Sequence, residues 1–89
     1  MTESMRNMLI GAVKGSIRSG SPQEIRDELT GLFEYAKISD DFDARSDILV
    51  SAMGNPKVGF CGRPTPEDRY ETLLSVYLSG TWQEFPEEA

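Results

Sequence analysis

Residues able to do chemistry are few in this chain, and the most conspicuous is a lone cysteine. Cys61 stands in Gly-Phe-Cys-Gly-Arg-Pro, residues 59–64, with Lys57 and Arg63 near enough in sequence to favour its thiolate. A thiolate nucleophile also needs a proton acceptor beside it, usually histidine, and the chain of 89 residues contains no histidine. That absence removes the Cys–His dyad, the commonest general base and the commonest metal ligand together. Cys61 is therefore read as a small packing residue that anchors its loop, with redox sensitivity as its chemical alternative.

A second cluster, Asp40, Asp41, Asp43 and Asp47, raises the question of metal binding or paired-carboxylate catalysis. An EF-hand loop begun at Asp41 would need an oxygen ligand where Arg45 stands and a glycine where Ser46 stands, so the pattern fails. Carboxylates at the start of a helix are already explained by the helix dipole and by capping. Phosphate binding lacks support, since the glycines of 59–62 are not followed by Lys-Ser or Lys-Thr. No cofactor and no metal site is expected, and no motif is specific enough to name a family.

Charge narrows the partner classes. The net charge is −6, but it is unevenly placed. Residues 1–20 carry three cations and one acid, residues 21–50 eight acids and three cations, residues 51–66 two cations, and residues 67–89 six acids and one cation. A general affinity for nucleic acid needs a basic face, which this chain lacks. A helix-turn-helix made from the first three helical segments fails for the same reason, because its recognition helix would carry the four aspartates. The basic residues Arg6, Lys14 and Arg18, together with Lys57 and Arg63, suffice for one docking patch and not for wrapping DNA. The length implies one domain. One cysteine excludes an internal disulfide, no apolar run approaches a membrane span, and no signal peptide is visible, so a cytoplasmic protein is expected.

The elements that must position these residues are four helices. The first is predicted over Glu3–Arg18, with Met5, Leu9, Ala12, Val13 and Ile17 on one stripe widened by Met8, and with Ile10 off it. Gly11 and Gly15, four apart, share one face where another helix could approach closely; internal packing is the first reading and a homodimer contact the second. Ser21-Pro22-Gln23-Glu24 opens the second helix with a cap, a proline at the first position and a capping-box glutamate. Ile25, Leu29, Leu32, Phe33 and Ala36 form its apolar face. The third runs from about Asp40 to Met53, stops at Gly54-Asn55-Pro56, and is expected to pair with the second across a short junction. Thr65-Pro66-Glu67-Asp68 opens the fourth, which ends at Gly80, with Tyr70, Leu73, Leu74 and Tyr77 inward.

The expected fold is all-α: a small four-helix bundle-like domain over 1–80, a long loop between helices 3 and 4, and an acidic, aromatic tail over 81–89. Lys57-Val58-Gly59-Phe60 pairing as a short strand with the tail is a further expectation. The function expected of such a chain is non-enzymatic: binding and modulating a protein partner. The candidate contact residues are Lys57, Phe60 and Arg63 in the loop and Trp82 and Phe85 in the tail. The alternative is a nucleic-acid mimic whose ordered carboxylates block a DNA-binding protein.

Overall fold

The computed structural model describes residues 2–16, 20–56, 58–60 and 62–80. Among these residues the fold is all-helical, with α1 (Glu3–Ser16), α2 (Pro22–Tyr35), α3 (Phe42–Ala52) and α4 (Pro66–Ser79) and no strand. Val58, Gly59 and Phe60 are irregular. Their expected strand partner, like Ile17, Arg18, Lys57, Cys61 and the tail with Trp82 and Phe85, lies outside the described residues.

Side chains that compensate the unpaired amides of a first turn set where each helix begins. The Thr2 hydroxyl accepts from the Met5 N–H, and the Ser21 hydroxyl from the Glu24 N–H. Asp41 accepts from the Ala44 N–H, and Thr65 from the Asp68 N–H. α3 thus starts two residues later than the sequence suggests, at Phe42 and not Asp40, because Asp41 is its cap and not part of its first turn. Proline follows the cap in α2 and α4, where its missing N–H costs no hydrogen bond. At the other ends, Gly54 and Gly80 take the left-handed conformation (φ 79° and 73°) that a side chain would resist. Lys37 and Asn55 adopt it without being glycine (φ 61° and 56°).

The core is one cluster. α1 contributes Leu9 and Val13, α2 Ile25, Leu29 and Phe33, α3 Ile48, Leu49 and Ala52, and α4 Tyr70, Leu73, Leu74 and Tyr77, with Ile38 and Met53 from the turns. Two expectations for α1 are corrected. Met8 is 47% exposed and does not widen the stripe, whereas Ile10 is half-buried against the core. The buried line continues from Leu9 and Val13 to Ser16, so the inward face is turned away from Met8. Ser16 can be buried because its hydroxyl donates to the Val13 carbonyl (2.8 Å) and lies 2.8 Å from the Tyr77 hydroxyl, which also donates to Val13. A buried serine so satisfied costs little.

The helix order in space also differs from expectation. α3 packs closely against α4 and α1, while α2 makes its closest backbone approach to α1 and not to α3. The bulky groups between α2 and α3 explain this: Phe33, Phe42 and the Arg45 side chain fill the space that a tight helical hairpin would close.

Candidate functional site

Among the described residues, two of the places that combine aromatic rings with charge have opposite arrangements. The first is internal. Arg45, on the second turn of α3, lays its guanidinium 4.3 Å from the centroid of Tyr70, 4.8 Å from Phe42 and 4.9 Å from Phe33. Phe33 and Tyr70 meet edge to face at 6.1 Å, and Phe42 tilts against Tyr70 at 5.8 Å. The guanidinium donates one bond to the Ser39 carbonyl (2.8 Å), and among the described residues its Nε has no acceptor and no carboxylate pairs with it. Planar, weakly hydrated guanidinium suits such a ring-lined seat better than an ammonium would. Burial pushes the Tyr70 hydroxyl above its ordinary pKa, and the neighbouring Arg45 charge works in the other direction. The cage joins α2, the α2–α3 turn, α3 and α4 at one point.

Sequence reading missed Arg45. The signal was there in principle: a cation among aspartates on a helix whose neighbours at i−3 and in adjacent helices are aromatic. Which rings converge on it depends on tertiary packing.

The second place is external. Residues Asp27, Glu28, Glu34 and Tyr35 surround Gly31 at helical spacing on the outer side of α2. Tyr35 is 69% exposed, and a Cβ at Gly31 would meet nothing within 4 Å. Asp27 accepts from the Gln23 amide (2.9 Å), and Glu28 and Glu34 pair with no cation among the described residues. The arginine of α2 is turned elsewhere: Arg26 reaches Glu71 on α4 at 3.3 Å.

Acidic residues also meet where α3 and α4 begin. Asp40, Asp41, Asp43 and Glu67 border a shallow depression of about 420 Å³ floored in part by Phe42. Asp41 is occupied as a cap, and both helix starts present positive dipole ends to these carboxylates. Among the described residues no group of carboxylates is disposed to hold a metal ion.

The expected loop contacts are only partly described. Phe60 is half-buried, packing with Val58 against the core, with the Arg69 guanidinium 5.9 Å from its ring. Arg63 is exposed. The basic patch expected from α1 and the loop loses one contributor, because Arg6 is held by Asp47 at 2.8 Å and by the Ser51 hydroxyl at 2.8 Å. Its own pKa rises further through that hydrogen bond and the Asp47 charge. Gly11 and Gly15 face outward with nothing within 4 Å of a Cβ at either position, so they serve no close approach between helices of this chain. Among the described residues no helix is long and apolar enough to cross a membrane. Comparison with known protein families, with curated proteins and with solved structures finds no match to this chain.

Proposed function

We propose that this chain is a small acidic, non-enzymatic protein that binds a protein partner and modulates it, in a cytoplasmic setting. The observation that carries the reading is an exterior of uncompensated carboxylates. Glu28 and Glu34 on α2, Asp40 and Asp43 at the start of α3, and Glu67 at the start of α4 are exposed and paired with no cation among the described residues. Fields of this kind speed association with positively charged surfaces and select among them. The catalytic alternative lacks equipment, since histidine, the commonest general base and the usual activator of a thiol, is absent. Arg63 and Phe60, together with Lys57, Trp82 and Phe85, form a second proposed contact region around the loop and tail. Affinity capture with mass spectrometry, comparing the intact chain with one lacking residues 81–89, tests both regions. A stoichiometric partner retained by the truncated chain assigns binding to the helices, one lost with the tail assigns it to the aromatics, and no partner for either overturns the reading.

A second reading is favoured by the row of acids along α2: a nucleic-acid mimic that occupies a DNA-binding protein's cleft. Such a complex competes with DNA and weakens steeply with salt. A captured partner that binds DNA and the chain simultaneously removes it. The outward glycines of α1 favour self-association as a further reading, through Gly11 and Gly15. Sedimentation at increasing concentration distinguishes the monomer from the dimer.

A further inference from the structure

We infer that the outer face of α2, from Asp27 to Tyr35, is the docking surface, and that its occupant is a basic segment of the partner that seats a lysine or arginine over Gly31 against the Tyr35 ring. This rests on the protein-binding reading above and specifies its surface and chemistry. Three features of one helix face carry it.

Among the described residues Tyr35 and Met8 are the large hydrophobic side chains that stay exposed, Tyr35 at 69%, whereas Phe33 on the same helix is fully buried. An exposed ring is a flat, stiff contact surface that loses little conformational freedom on binding. One turn away, Gly31 interrupts the helix interior, where glycine costs about 1 kcal/mol relative to alanine. Neither the backbone conformation nor any close neighbour requires a glycine there, since its φ is not positive and a Cβ would sit in open space. The resulting notch exposes the helix backbone beside the ring.

Charge then selects the occupant. Asp27, Glu28 and Glu34 surround Gly31; of the cations nearest in sequence, Arg26 reaches Glu71 on the surface of α4, and Lys37 pairs with none of these carboxylates and does not stack on Tyr35 among the described residues. An apolar partner segment would have to bury these carboxylates unpaired, which is costly. A lysine or arginine lays its aliphatic stem in the notch, its cation over the Tyr35 face and its donors among the carboxylates. The internal Arg45 seat has the same ring-and-cation logic already completed within the chain. On α2 the ring and the acids are present and the cation is left to the partner.

The test is a titration of the isotope-labelled intact chain with a helical lysine–leucine peptide, followed by amide chemical shifts, with a glutamate–leucine peptide as control. Saturable shifts centred on Asp27, Gly31, Glu34 and Tyr35 are expected for the basic peptide alone, weakening as salt rises. Tyr35→Ala should weaken binding about 2- to 5-fold, the loss expected for an exposed cation–π contact. Gly31→Gln fills the notch with a better helix former, so it should weaken binding while raising the melting temperature, which separates docking from folding. The inference is overturned by shifts centred elsewhere, by no saturable shift, by equal binding of the acidic peptide, or by Tyr35→Ala and Gly31→Gln binding like the parent. Those results leave the broader reading intact if affinity capture still yields a stoichiometric partner. Binding at α2 without any captured partner would instead leave the surface and remove the proposed role.

Discussion

The two aromatic-and-charge clusters on this domain are complementary in what they lack. Inside, Arg45 supplies a cation to Phe33, Phe42 and Tyr70 and pairs with no carboxylate among the described residues. Outside, Tyr35 stands among Asp27, Glu28 and Glu34, and no cation among the described residues pairs with these acids or stacks on the ring. The inner cluster is assembled from four places in the chain and contributes to stability. The outer one lies on two turns of a single helix, and folding would proceed without it. The difference teaches where to look for stability and where for the proposed recognition: the buried cluster packs three helices together, and the exposed one faces outward.

The largest effect should follow from dismantling the inner cluster. Tyr70 is 2% exposed, and Tyr70→Ala should cost about 3–5 kcal/mol, the range for emptying a large aromatic site. Urea denaturation followed by circular dichroism measures it; a loss below about 1 kcal/mol would mean that the cage is peripheral to folding. Arg45→Ala comes next. It removes a partly desolvated cation–π contact worth about 2 kcal/mol or more. It also removes a charge-assisted bond to Ser39, worth roughly 1.5–3 kcal/mol, against relief of about 1–3 kcal/mol from the acceptor-less Nε. The balance favours the cage, so a net loss of about 2 kcal/mol is expected. Unchanged or increased stability would show that desolvation of the guanidinium outweighs its stacking.

Alkaline titration probes the same cluster. The folded pKa of Tyr70 is raised above its unfolded value because burial disfavours phenolate. Its contribution is therefore fully present below the unfolded pKa, about 10, and is lost as pH rises through the higher folded value. Stability should fall with pH above about 10, and Tyr70→Phe should flatten that fall. An equally steep fall in the variant would assign the titration to other groups.

Much of this architecture was legible in the sequence. Ser21-Pro22 and Thr65-Pro66 announce helix starts because hydroxyl caps and proline act within one turn of chain, and α2 and α4 begin where those signals put them, whereas α3 begins two residues later than its sequence suggests. The rotation of α1 was not legible. Met8 and Ile10 are equally apolar choices until tertiary packing decides between them, and Ser16 looks like a surface residue until Tyr77 and Val13 are seen to satisfy it. The Arg45 cage was invisible for the same reason, since its three rings come from three helices. The α2 site was half-legible: Glu28, Gly31, Glu34 and Tyr35 are in plain view, but only the packing shows that Tyr35 stays outside.

The smallest effects belong to the open faces. Gly11→Ala and Gly15→Ala, whose new methyl groups would meet nothing within 4 Å, should each raise stability by up to about 1 kcal/mol if α1's outer face stays free. A gain in thermal melting sharpens the contrast between closed and open surfaces. A loss that depends on protein concentration would reveal that this face is buried against a second copy.

The central claim is that the exposed acids and ring of α2 await a basic partner, and co-purification of the intact chain from its native cell tests it most directly. The parent chain should bring down one stoichiometric protein with a basic surface, and a Tyr35→Ala, Glu34→Gln double variant of equal stability should release it. Recovery of the parent chain alone, or equal retention of the partner by the double variant, would contradict the account.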